Sequence, residues 1–135
     1  MFVVKRKLEV IATTMAAKHI SEDGIAKLKD ILEQQEFYAS KDNADKVRDL
    51  DTEFHDIIYD ECGSPTFKAI LSPIHHKLMK YRQASLCHEG RILHSVEEHR
   101  DIFRAMEAHD IAKVEGLMLT HIEHAFDSIM KGDEA

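Results

Sequence analysis

Apolar residues recur at three- and four-residue intervals along most of this chain, and no stretch alternates as a half-buried strand would. The spacing predicts an all-α protein, an antiparallel helical bundle of about six helices. The first helix is expected over residues 4–19, with Leu8, Ile11, Ala12 and Met15 inward. Ser21 can cap the second, which runs to residue 39 with Ile25, Leu28, Ile31 and Leu32 inward. Polar residues 40–43 form a loop, and a third helix follows over 44–61 until Gly63 stops it. Ser64 and Pro65 open the fourth, because proline suits the first helical position. Pro73 should kink that helix by removing a backbone donor, and the helix should end near residue 88. After Gly90 a fifth helix covers 91–108, and Asp110 can cap a sixth running to residue 131, with residues 132–135 frayed. No repeat, low-complexity tract or linker divides the 135 residues, so 1–135 is read as one domain around a single core.

Four polar residues interrupt the inward stripes. Val47, Leu50, Phe54 and Ile58 mark the core face of the third helix, and Asp51 and His55 share it, one turn apart. His99 sits within the stripe of Ile92, Val96, Phe103 and Met106; His121 sits within that of Val114, Met118, Ala125 and Ile129. A carboxylate on a core face is costly unless it is paired or metal-bound. One carboxylate oxygen and three imidazole nitrogens suit a divalent ion, with zinc or nickel first and manganese or iron next. Such an ion can keep a position open for water or a ligand carboxylate. Each residue taken singly also fits a hydrogen-bonded core histidine or a helical ion pair, and periodicity alone leaves the two readings balanced.

Ten histidines in the chain make a site search worthwhile, while five glycines and two prolines favour long helices. Eighteen Lys and Arg against 25 Asp and Glu give a net charge of −7, which would repel a phosphate backbone and argues against nucleic-acid binding by these residues. No apolar run approaches the roughly 20 residues that span a bilayer, and the N-terminus lacks a signal peptide's order, so a cytoplasmic protein is expected. Cys62 and Cys87 lack CxxC spacing and read as reduced core or boundary residues.

Several metal-enzyme patterns are absent. His88-Glu89 is followed by Ile92 where a zincin helix needs histidine, no Glu-x-x-His occurs, and His109-Asp110 falls where Asp110 reads as a cap. His75-His76 is expected as a solvated pair. His124 could line the same pocket as His121 without being a ligand. Arg82 lies beside the stripe of Leu71, Ile74 and Leu78, where it could clamp a carboxylate or equally lie along the surface. Two further readings remain: a metal-dependent hydrolase, which needs a base beside the ion, and a structural module with buried histidines. Apart from Asp51, no Asp or Glu is evident on the inward stripes to supply that base.

Asp51-Thr52-Glu53-Phe54-His55, then Glu98-His99-x-x-Ile102-x-x-Ala105, Asp110 and His121-Ile122, together with Leu8-Glu9 and Ala16-Ala17, resemble in order and spacing the FCD domain. This is the effector-binding C-terminal domain of FadR-group GntR-type transcription regulators. The resemblance implies a helical bundle around a metal pocket, with Asp51, His55, His99 and His121 as ligands. It also implies a small organic acid at the metal, Arg82 facing that acid, a regulatory rather than enzymatic role, and a homodimer. DNA would be reached only through a winged-helix domain that this sequence lacks, so it is expected to be either a fragment or a stand-alone sensor. Lys5 stands where many relatives carry arginine, which puts a second carboxylate contact there in doubt.

Overall fold

In a computed structural model of the chain, which describes residues 2–86 and 90–134 and places side chains over 2–80 and 90–130, six helices follow one another: α1 (Phe2–His19), α2 (Glu22–Ser40), α3 (Ala44–Glu61), α4 (Pro65–Leu86), α5 (Arg91–Glu107) and α6 (Ile111–Glu134). No strand occurs among the described residues. The boundaries follow local chemistry. The Ser21 hydroxyl accepts from the Gly24 amide at 2.9 Å, and the Asn43 carbonyl oxygen accepts from the Lys46 amide. Ser64 and Asp110 do the same for Phe67 and Lys113. Each cap satisfies one of the donors that open every helix. Gly63 and Gly90 hold φ of 80° and 75°, the left-handed region where a side chain is strained, and so turn the chain on either side of α4.

The outermost ends depart from the sequence reading. The first helix starts at Phe2, and α6 continues to Glu134 through Gly132, since one glycine weakens a helix without stopping it. Residues 87–89, where the fourth helix was expected to finish and where Cys87 and His88 lie, fall outside the described residues.

In the packing, α3 lies between α2 and α4, α6 lies against α1, α4 and α5, and α5 also packs on α2. The core gathers Leu28 and Leu32 of α2, Phe54 and Ile58 of α3, Leu71 of α4, Ile102 and Met106 of α5, and Val114 and Met118 of α6, all buried. The predicted faces of α3 and α5 are the buried ones.

The inner face of α1 is only partly as predicted. Ala12 is buried and Leu8 and Met15 pack half-buried against the core, but Ile11 is 45% exposed, and Lys5, Glu9, Thr13, Ala16 and Ala17 are buried as well. The apolar stripe misled because this helix turns a lysine and a glutamate inward, where each has a charged partner. Cys62 is a free, buried cysteine, consistent with a core role.

Candidate metal centre

Packing brings Asp51, His55, His99 and His121 together at the middle of the bundle, each no more than 2% exposed. Asp51 Oδ1 lies 3.1 Å from His55 Nε2 and 3.5 Å from His99 Nε2, and His99 Nε2 lies 3.1 Å from His121 Nε2. Ligands about 2.1 Å from a common ion stand roughly 3.0–3.4 Å apart in octahedral or tetrahedral arrangements, and these three separations are of that size. Two overlapping groups each bring one ligand atom per residue within 4.8 Å of one another: His55, His99 and His121, and Asp51, His55 and His75.

Each of these histidines is oriented from behind. His55 Nδ1–H donates to Glu9 Oε1 at 2.6 Å, His99 Nδ1–H to Gln35 Oε1 at 2.9 Å, and His121 Nδ1–H to Glu98 Oε1 at 3.1 Å. The Gln35 amide is fixed in turn, because its nitrogen donates to Val47 O. Phe54 stacks on the His99 ring at 4.4 Å, which holds its plane. A neutral imidazole with its proton on Nδ1 presents a bare lone pair on Nε2. Lone pairs on His99 and His121 Nε2 then face each other at 3.1 Å, a contact that a cation between them turns into shared coordination.

The sequence profile of the FCD domain matches residues 1–124. This chain belongs to the FCD family. Its fold is similar to that of E. coli McbR/YncC, with a TM-score of 0.85 at 13% identity over 96% of this chain and 65% of that one. Streptococcus agalactiae GntR is also similar, with a TM-score of 0.78 at 23% identity over 91% of this chain and 54% of the other. The chain therefore spans about two thirds and about half of the lengths of these two proteins. No curated protein sequence matches it. FCD domains are the ligand-sensing, regulatory part of GntR-family regulators rather than enzymes.

Lys5, Glu9, His75 and Gln35 beside the FCD centre escaped sequence reasoning. Glu9 is fully buried. Besides His55 it accepts from Tyr59 OH at 2.6 Å and from Lys5 Nζ at 3.2 Å. A buried acid therefore does stand next to the cluster, contrary to the expectation that Asp51 was alone, but its oxygens are committed to these donors. His75 is 2% exposed and stacks on His55 at 4.2 Å, so the expected solvated pair is only half right: His76 is the exposed member and bonds Asp56. Adjacent helical residues lie about 100° apart, so one of two neighbouring histidines on a half-buried helix turns inward. An i, i+4 Lys5–Glu9 pair was the available signal for the first two, but such pairs usually lie on the surface. The Arg82 side chain lies outside those described.

The electrostatics follow from this enclosure. Burial by itself would raise the Glu9 carboxyl, but Lys5 and His55 outweigh it and hold the group well below its ordinary range. Burial opposes the charged form of His55, yet Glu9 and Asp51 raise its pKa. Tyr59 is pushed well up, first by burial and then by Glu9. His75 is pushed well down by burial, His55 and Lys5, which leaves it neutral. Burial pushes Glu98 up, but hydrogen bonding and charge from His121, together with Arg91, hold it down at about 2.

Because the folded pKa of Glu98 lies below its ordinary 4.5, its contribution to stability is complete above pH 4.5 and is lost as pH falls toward 2. Glu98→Gln should flatten the dependence of the urea midpoint on pH across that window in metal-free protein. An unchanged slope would show that the carboxylate is not so held.

Among the described residues no helix is long and apolar enough to cross a membrane.

Proposed function

We propose that this FCD domain holds one divalent cation on Asp51, His55, His99 and His121 and senses a small organic acid that coordinates the same ion. The observation supporting this reading is that three histidines from three helices each donate Nδ1–H to a fixed acceptor, with Asp51 Oδ1 beside His55 and His99 Nε2 and with His121 Nε2 beside His99 Nε2. That is the outer support metal-bound imidazoles characteristically have. The mixed oxygen and nitrogen donor set suits zinc or nickel, and manganese or iron less closely. The ion would act as a Lewis acid toward the carboxylate, while the protein fixes the ligand geometry.

Arg82 is proposed as a further carboxylate contact, since a guanidinium can take a carboxylate in bidentate fashion. In a longer regulator the domain would act as a homodimer, with a separate winged-helix domain reaching the DNA. Acid binding would draw together the helices that carry the ligands and shift the balance between two arrangements. Native mass spectrometry of the chain purified without chelator or His tag tests the reading. The expected mass exceeds that of the apo chain by one divalent ion and falls to the apo value on chelation. A chain that carries no metal and takes none up when offered zinc or nickel would overturn it.

A further inference from the structure

His75 has a polar atom with an unusual assignment. Its Nδ1 lies 3.1 Å from Lys5 Nζ. An ammonium group can only donate, so His75 Nδ1 accepts and the ring proton sits on Nε2. The other contacts of Lys5 Nζ are Glu9 Oε2 and Tyr59 OH. His75 thus has the opposite tautomer from His55, His99 and His121, and this rules out Nε2 as a metal ligand while Lys5 donates to the ring. The Nε2–H group is buried and makes no hydrogen bond among the described residues, with Asp51 Oδ1 3.9 Å away, beyond hydrogen-bond reach. A buried donor without an acceptor is costly, and it stands at the edge of the proposed metal centre.

A cavity of about 30 Å3 opens on this edge, touching Lys5, His55, His75 and His121. Among the described residues its remaining wall is hydrocarbon and aromatic, including Phe2, Leu78, Met79, Ile122, Phe126 and Ile129. Against these described side chains a hydroxylated acid would bury its hydroxyl groups with only hydrocarbon beside them, at a cost for each. The small volume favours a small ligand body.

We infer that the ligand is a short-chain monocarboxylate with an unsubstituted hydrocarbon body. One carboxylate oxygen lies on the metal, the other accepts from His75 Nε2–H, and the carbon chain lies on Phe2, Met79 and Phe126. This rests on the metal reading above and narrows its ligand class, setting apolar acids ahead of sugar acids and other polyhydroxy acids.

Isothermal titration of the zinc-loaded chain with butyrate and with trihydroxybutyrate, which have the same carbon count, tests the inference, with metal content measured on the same samples. Butyrate should bind at least about tenfold more tightly. His75→Phe should weaken butyrate roughly tenfold or more at unchanged metal content, as loss of a hydrogen bond to a charged group does. His75→Gln, which can place an N–H near the same point, should keep most of the affinity. Trihydroxybutyrate binding as tightly as butyrate, no butyrate binding to metal-loaded protein, or His75→Phe binding butyrate as the parent does would each overturn the inference and leave the metal centre standing. If His75→Phe does not fold, the two acids on the parent protein still decide it. A parent chain that takes up no zinc would overturn the metal reading, and the inference with it.

Discussion

Replacing His99 and His121 together by alanine is expected to abolish metal retention. The two rings supply half of the four proposed ligands, and in the remaining group of Asp51, His55 and His75 the His75 Nε2 carries a proton while Lys5 donates to that ring. Loss of an outer partner alone typically costs 10–100-fold in affinity, and loss of two direct ligands costs well beyond that. An ion present at a thousand times its dissociation constant stabilises a fold by about 4 kcal/mol. For a domain of this size, chelating the parent protein should therefore lower Tm by roughly 10 °C or more, while the double variant should not respond to chelator. Elemental analysis after dialysis reads the first effect and a thermal scan with and without chelator reads the second. Metal content in the double variant equal to that of the parent would end the proposed site. Far-UV circular dichroism establishes that the variant remains helical, since removing His99 also strips Phe54 of its stacking partner.

Glu9→Leu is expected to be among the most destabilising single changes in the chain. Glu9 is 0% exposed, and its two oxygens accept from His55, Tyr59 and Lys5, which are themselves 2%, 1% and 8% exposed. Leucine fits the volume but leaves a buried ammonium and two other donors without their acceptor. Removing one member of a buried ion pair costs about 3–5 kcal/mol, against a total stability of about 5–15 kcal/mol for a typical domain. Equilibrium urea unfolding should show that loss. Lys5→Met combined with Glu9→Leu should recover part of it, because the second change removes the uncompensated charge. A single variant within about 0.5 kcal/mol of the parent would mean that Lys5 swings out to water and that the cluster contributes little to stability.

The burial of the four proposed ligands could be read in the sequence because they stand among large apolar neighbours. Asp51 and His55 alternate with Leu50, Phe54 and Ile58, and His99 sits between Val96 and Phe103, so each polar residue showed as an exception to a strong stripe. Cap residues were equally plain, since Ser21, Ser64 and Asp110 stand at breaks in periodicity and act through contacts three residues away. Local rules fail where a residue is buried through distant partners. Glu9 is inward because of His55 and Tyr59, 46 and 50 positions away, and Lys5 because of His75, 70 positions away. Nothing within one helical turn distinguishes such a pair from one in water. Gln35 was missed for the same reason: it is inward through hydrogen bonds to Val47 O and to His99, 64 residues on.

The sequence distances within this centre also bear on the order of folding. The acceptor behind His55 comes from α1, the one behind His99 from α2, and His121 arrives only with α6. A complete donor set forms only when the whole bundle has closed around it, so an ion offered to the unfolded chain finds isolated imidazoles but no cage. Interactions that arise after the folding barrier leave the rate of climbing it unchanged and deepen the well beyond it. Metal in this domain would therefore act as a latch, set last and holding the native state by slowing its escape.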